Sequence, residues 1–290
     1  MRRSTRAQVG KETVEIAERG CYETPVGNRV DITAAMSRCL QTTTLYQPEE
    51  LDELLHQTTP SSAGRTTEFE VANETTLSAA HRLVRERGYT RTLCLNFASA
   101  KNPGGGFLGG SQAQEESLAR SSGLYRSLQT QWTYYEANRG CDTALYTDHM
   151  ILSPDVPVFR DDSGQLLDEP YALSILTAPA ANAGAIRDNE PHRIAQIATT
   201  MANRIAKILG IAARNDYEHL ILGAWGCGVF RNDPDEVAGL FASALLKDDR
   251  FRNRFRTVVF AVLDSTADES VIGPFRRRFA AVPNIEPRAK

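Results

Sequence analysis

The residues best suited to chemistry stand close together between Leu95 and Glu116, in the run LNFASAKNPGGGFLGGSQAQEE. Five glycines (104–106, 109 and 110) fall within seven positions there. Glycine lets a backbone pass close to a ligand and adopt positive φ, at a cost in chain entropy, so this density is not explained by packing. The run delivers Gln114, Glu115 and Glu116 onto the start of a helix, where the helix dipole favours negative charge. Two adjacent acids at that place have a plain reading, as first-turn acids completing a cap begun at Ser111 or Gln112. The glycine loop just before them shifts the balance, because it makes room for something large beside the carboxyls. A second candidate is LGAWGCGVFRNDP (222–234), in which Gly223, Gly226 and Gly228 follow an apolar run and Pro234 opens a helix. Successive backbone N–H groups in such a turn form an anion-binding nest, helped by the following helix N-terminus. Phe230 at the tip is either a core aromatic or a ring that stacks on a base or covers a ribose.

Other chemistries find less support. The segment is neither GxGxxG nor a Walker loop, and no GxSxG elbow occurs. The five histidines (His56, His81, His149, His192, His219) show no HxxxH or HxH spacing, so no metal site and no cofactor are expected. Cys227 reads as a small residue in a tight loop rather than a nucleophile. The Arg276–Arg278 run reads as a solvated helix face.

The elements that must position these residues alternate. An N-terminal helix should run from a cap at Ser4 or Thr5 to Arg19 and stop at Gly20. A hairpin between Tyr22 and Val30 turns at Gly27–Asn28, and helices follow at 33–42 and 48–56. The stretch TTPSSAGRTT (58–67) is the best linker candidate. Strands are then expected at 67–72, 92–99, 171–179, 218–226 and 256–264. Helices are expected between them at 76–88, 114–129, 191–212 and 234–248, with a last one at 266–280. In the helix at 191–212, Ile194, Ile197, Met201, Ile205, Ile208 and Ala212 recur at helical spacing. Strands alternating with helices imply an α/β fold whose largely parallel sheet is covered on both faces. Ligands in such sheets bind at the carboxyl ends of strands, where both glycine-rich segments fall.

The 290 residues are 41% hydrophobic and 24% charged, which excludes wholesale disorder and fibrous classes. Lys+Arg 33 against Asp+Glu 36 leaves a net charge of −3, which argues against capture of a polyanion by broad charge. Five scattered cysteines, an odd number with no CxxC, read as reduced thiols. Without a signal-like N-terminus or a long apolar run, the expectation is a soluble cytoplasmic protein with no membrane partner and no direct contact with DNA or RNA. A monomer is the default.

Asn102-Pro103-Gly104-Gly105-Gly106, seven residues, then Gln114-Glu115-Glu116, resembles the signature of poly(ADP-ribose) glycohydrolases, GGG and QEE six to eight residues apart. GAWGCGVFRNDP and VVFAVLD resemble the compact bacterial branch of that family, and the similarity runs from about residue 10 to 280. The resemblance implies a three-layer α/β/α macrodomain with a mixed, largely parallel sheet. An N-terminal helical extension (1–66) would pack on a catalytic core (67–290) as one structural unit. It implies hydrolysis of the ribose–ribose bond of poly(ADP-ribose), so the partner is that polymer, or ADP-ribose on modified proteins. Carried over by position, Glu116 becomes the catalytic acid/base and Glu115 the residue that holds the hydroxyls of the ribose being cleaved. Asn102 would bind that ribose, Gln114 would belong to the same site, and Gly104 to Gly106 would wrap the proximal phosphate. Gly226, Cys227, Gly228, Val229 and Phe230 would hold the diphosphate, with Phe230 near the ribose. Asn96, with Val9 and Glu12 of the extension, is expected on the adenine side.

The chemistry agrees with the residues. Most glycosidases oppose two carboxyls roughly 5–9.5 Å apart, whereas adjacent glutamates on a helix start point in different directions. A single acid/base therefore fits better, and Glu116 would need a carboxyl pKa raised by burial or by its neighbour's charge. Two other functions share the fold: a reader that only binds ADP-ribose, and a hydrolase of mono-ADP-ribose conjugates. Cleavage at chain ends or internally is not legible here.

Overall fold

A computed structural model describes residues 1–61 and 64–279. The linker expected at 58–67 and the last residue of the helix expected at 266–280 fall in part outside those residues. Helix α1 (Arg3–Arg19) stops where expected, at Gly20 with φ 74°. It leads through the hairpin β1 (Cys21–Glu23) and β2 (Arg29–Asp31) to α2 (Thr33–Thr42), β3 (Thr44–Tyr46) and α3 (Pro48–Gln57). Then come β4 (Glu68–Ala72), α4 (Thr76–Ala80, prolonged by wider turns to Glu86), β5 (Thr92–Ala98), α5 (Gln114–Ser121), α6 (Leu124–Leu128) and α7 (Trp132–Arg139). The chain continues through β6 (Met150–Arg160), β7 (Leu166–Pro179), α8 (Ala183–Asn189), α9 (Ile197–Arg214) and β8 (His219–Leu222). It ends its described part with α10 (Pro234–Ala242), β9 (Thr257–Ala261) and α11 (Gly273–Phe279).

Seven strands form one sheet in the order β3-β6-β7-β5-β8-β9-β4. The five from β7 to β4 are parallel, while β6 and β3 run antiparallel at one edge. Successive residues of the central strands feed opposite faces. Leu93, Leu95, Leu220, Leu222, Val258 and Phe260 join one core with α3, α8, α9, α10 and α11. Cys94, Ile221 and Val259 join the other with α4, α5, α6 and α7. A parallel sheet buried on both faces is the reason its strands read as continuous apolar runs. This is the mixed, largely parallel α/β/α arrangement expected from the sequence. Strand β3 brings residues of the N-terminal extension into the main sheet, so the extension is knitted into the core as well as packed on it.

Several elements depart from expectation, each for a local reason. The helix expected at 114–129 breaks at Ser122 (φ −150°, ψ 177°), which bridges to Val158 of β6. Strand β6 carries Pro154 and Pro157, residues that argue against a strand. A register shift between Ser153 and Val156, with Asp155 at φ 49°, accommodates Pro154. The helix expected from 191 begins as a 3-10 stretch at Pro191, and α9 proper starts at Ile197. Ahead of α11, residues 264–272 form a loop around Asp264, whose carboxylate accepts the N–H groups of Thr266, Val271 and Ile272. Arg276 pairs with Glu269, and Arg277 and Arg278 pair with Asp235, which ties α11 to α10. Among the described residues no helix is long and apolar enough to cross a membrane.

Candidate active site

A cleft of about 750 Å³ opens at the carboxyl ends of the parallel strands and is lined by both glycine-rich loops. Four acids face it (Glu74, Glu115, Glu116, Asp162), and among the described residues no Lys or Arg does.

The reason it opens beside β5 is a change of partner. Strand β5 pairs with β8 only from Thr92 to Cys94. Beyond that the side chain of Gln114 takes over: its Oε1 accepts the Phe97 N–H at 2.8 Å, and its Nε2 donates to the Leu95 carbonyl at 2.7 Å. Gln114 therefore lines the cleft with its amide committed to the sheet edge, and it seats the start of α5.

The next two residues differ sharply. Glu115 is 3% exposed, and its Oε2 accepts the Ser99 N–H at 2.6 Å while Oε1 accepts from Asn96 Nδ2 at 3.3 Å. Asn96 is itself fully buried and also donates to Thr177 Oγ1 at 3.1 Å, so it holds Glu115 from beneath and does not line the cleft. The adenine-side place expected for Asn96 is corrected accordingly. Glu116 is partly exposed, and its Oε1 accepts the Gly106 N–H at 3.0 Å. Burial pushes the Glu115 carboxyl up to about 8, with the Glu116 charge adding to the rise and the donated hydrogen bonds opposing it. The raised carboxyl was expected at Glu116; the structure puts a strongly raised one at Glu115.

The glycines make this arrangement possible. Gly104 and Gly105 lie at φ 66° and 60°. A Cβ on Gly105 would stand 2.4 Å from Glu116 Oε1 and 3.1 Å from Glu115 Oε2, so only glycine leaves both carboxyls their places. Asn102 lies exposed at the cleft beside them.

In the second loop, the carbonyls turn back into the protein. The Gly226 oxygen accepts from Asn232 N–H and Nδ2, the Gly228 oxygen from Arg231 N–H, and the Phe230 oxygen from Gly184 N–H at 2.9 Å. Among the described residues, the N–H groups of Gly228, Val229 and Phe230 donate to no protein acceptor. Three consecutive donors are thus left free beside an acid-lined cleft, which an anion-binding nest of backbone N–H groups requires. The helix N-terminus does not contribute as expected, because Asp233 Oδ1 already accepts the N–H groups of Asp235 and Glu236 at the start of α10. Burial pushes the Cys227 thiol up to about 12, which fits a small loop residue and not a nucleophile.

Val9 and Glu12 of α1 lie away from the cleft. Val9 abuts the Gly164 turn, and Glu12 pairs with the buried Arg160 at 2.6 Å. Helix α1 instead grips the first glycine loop: Arg3 Nε donates to the Gly109 carbonyl at 3.0 Å and Arg6 Nε to that of Gly110 at 2.8 Å. Sequence reasoning missed Glu74, Thr75, Asp162, Leu263 and Val271, all of which line the cleft. Glu74 and Leu263 lie two residues beyond the ends of β4 and β9, where the rule that ligands sit at strand carboxyl ends points. Asp162 sits on the β6–β7 turn, which no pattern announced.

The family model for the catalytic domain of microbial-type PARG matches residues 10–161. Among solved structures, poly(ADP-ribose) glycohydrolase (PARG) from Thermomonospora curvata is 47% identical with a TM-score of 0.91, covering 95% of this chain and 100% of that one. The same enzyme bound to the inhibitor ADP-HPD is 46% identical, TM-score 0.88, with the same coverage. The PARG of Deinococcus radiodurans in complex with ADP-ribose is 46% identical, TM-score 0.80, covering 88% of this chain and all of that one. No curated protein matches the chain. With half of its length inside the family model and close likeness to these structures over nearly all of it, the chain belongs to the microbial-type poly(ADP-ribose) glycohydrolase family.

Proposed function

We infer that this chain hydrolyses the ribose–ribose O-glycosidic bond of poly(ADP-ribose) and releases ADP-ribose. The observation that carries this reading is one cleft holding both Glu116, anchored on the Gly106 N–H, and the free N–H groups of Gly228 to Phe230. The three N–H groups grip the diphosphate without a cationic side chain, as they do best for an anion held by backbone dipoles. Asn102 binds the ribose being cleaved, Gly104 to Gly106 wrap its phosphate, and Phe230 packs near it. Glu115, seated between Ser99 and Asn96, orients the ribose hydroxyls.

Bond cleavage passes through an oxocarbenium-like state and needs a proton on the leaving oxygen. Glu116 gives its proton to the departing 2′ oxygen as the bond from C1″ breaks and its electron pair goes to that oxygen. Water then adds to C1″ and returns a proton to Glu116, so the acid is restored and one water is consumed. Beside it Glu115, its carboxyl pushed up to about 8 chiefly by burial, keeps its proton at neutral pH and so adds no full negative charge next to Glu116. Incubation with labelled polymer tests the reading: free ADP-ribose should accumulate, and binding of polymer without release would make the chain a reader instead. Release only from mono-ADP-ribosylated protein would assign it to the conjugate hydrolases.

A further inference from the structure

We propose that Tyr146 is a positioning residue for Phe230, held in a strained backbone conformation so that its ring backs the aromatic at the tip of the nest loop. The proposal rests on the role just inferred for that loop in holding ADP-ribose.

Tyr146 lies at φ 61°, in the left-handed region that bulky side chains rarely occupy. Such a residue persists only where its surroundings over-determine it. Here they do. The Tyr146 N–H donates to the Thr143 carbonyl at 3.1 Å, and its own carbonyl accepts from Arg204 Nη2 at 3.0 Å. Arg204 is 1% exposed; it also donates to the Pro179 carbonyl at the end of β7 (3.1 Å) and to Asp148 Oδ1 (2.7 Å). Lys207, buried beside it, pairs with Asp148 at 2.6 Å and with Asp52 at 2.8 Å. Removing two cations from water is costly even when they are paired. A network that commits Arg204 to one loop carbonyl and one strand end fixes the position of that loop relative to the sheet.

What the fixed loop presents is a ring. Tyr146 does not line the cleft, but its ring meets that of Phe230 with centroids 6.0 Å apart and planes tilted by 43°. The main chain of Phe230 is already held, through its carbonyl, by the Gly184 N–H. Tyr146 therefore acts on the Phe230 ring, and the buried Arg204–Asp148–Lys207 network reaches the nest loop through it.

The experiment compares Tyr146→Gly, Tyr146→Phe, Phe230→Ala and the double variant Tyr146→Gly/Phe230→Ala. ADP-ribose affinity is measured by calorimetry, with KM, kcat and Tm alongside. Glycine is at ease at positive φ and keeps the carbonyl that Arg204 holds. Tyr146→Gly should therefore bind about three- to tenfold more weakly, the scale of one aromatic pair, with kcat within about twofold and Tm not lowered. Tyr146→Phe should bind as the native protein does, and the double variant no more weakly than Phe230→Ala. Native affinity in Phe230→Ala would overturn the reading of the loop itself. Weakened Phe230→Ala with native Tyr146→Gly, or losses that add in the double variant, would overturn the role of Tyr146 alone. Should Tyr146→Gly fail to fold, Tyr146→Asn, which also tolerates the left-handed region, is read by the same criteria.

Discussion

At the scale of single residues, the site is a contest for space between two carboxyls and a backbone. Gly105 decides it, because a methyl group there would fall 2.4 Å from Glu116 Oε1 and would have to be carried at φ 60°. Gly105→Ala should lower kcat/KM at least about tenfold, through displacement of an acid that must be placed to within fractions of an ångström. It should also lower Tm; native activity in a steady-state assay would contradict the geometry. Glu115 carries a second prediction. Its carboxyl is raised from 4.5 to about 8, mainly by burial, so between those values the folded protein holds a proton that the unfolded chain has lost. That contribution to stability is fully present below about pH 4.5 and is lost as pH rises toward 8. Glu115→Gln, which mimics the neutral form, should therefore gain Tm relative to the native protein as pH is raised from 5 to 9 in thermal melts. An unchanged difference across that range would mean that Glu115 is ionised throughout. The sequence made both glutamates legible as a pair, because GGG and QEE are visible as letters. Which of them is buried was not legible, since that depends on Asn96 and Ser99 converging from β5 and the loop after it.

At the scale of elements, the helices and strands legible in the sequence are those whose apolar pattern belongs to the sheet or packs directly on it. Strands β5, β7, β8 and β9 announced themselves as apolar runs, and α9 by its spacing. Strand β6 did not, because Pro154 and Pro157 interrupt it and a register shift is needed to keep it paired. Strand β3 is three residues long and gains its place only from its partner. The same distinction explains α1. Its boundaries were readable from Gly20, but its task was not, because the task lies in contacts with residues a hundred positions away. Arg3 and Arg6 donate to carbonyls of the glycine loop, Gly10 lies against Phe107, and Thr13 Oγ1 donates to the Arg120 carbonyl at 2.6 Å. Helix α1 is thus a brace for the glycine loop that leads to Glu116 at the start of α5, not a wall of the cleft. The double variant Arg3→Ala/Arg6→Ala should stay folded by circular dichroism yet lose activity about three- to tenfold, as expected for removing two hydrogen bonds of about 1 kcal/mol or less net each. Full activity would separate the helix from the site.

At the scale of the whole molecule, a net charge of −3 and an acid-lined cleft both oppose the approach of a polyanionic substrate. On the proposed reading the two are compatible: the diphosphate would meet backbone N–H groups that one loop leaves free, while no cationic side chain lines the cleft among the described residues. Such binding releases few counterions. KM for polymer should change by less than about threefold between 50 and 200 mM salt, against losses of about 10³–10⁵ for proteins making many Lys and Arg contacts to phosphates. A steep salt dependence would point to a basic surface outside the cleft. The α/β class was readable because parallel strands buried on both faces leave a distinctive pattern, whereas the antiparallel edge was not. The account as a whole stands on Glu116 as the group that moves the proton. Digestion of labelled polymer by Glu116→Gln tests that most directly: it should release ADP-ribose at least about a hundredfold more slowly than the native protein, with native Tm and near-native ADP-ribose affinity. A folded Glu116→Gln that digests polymer at a near-native rate would contradict it.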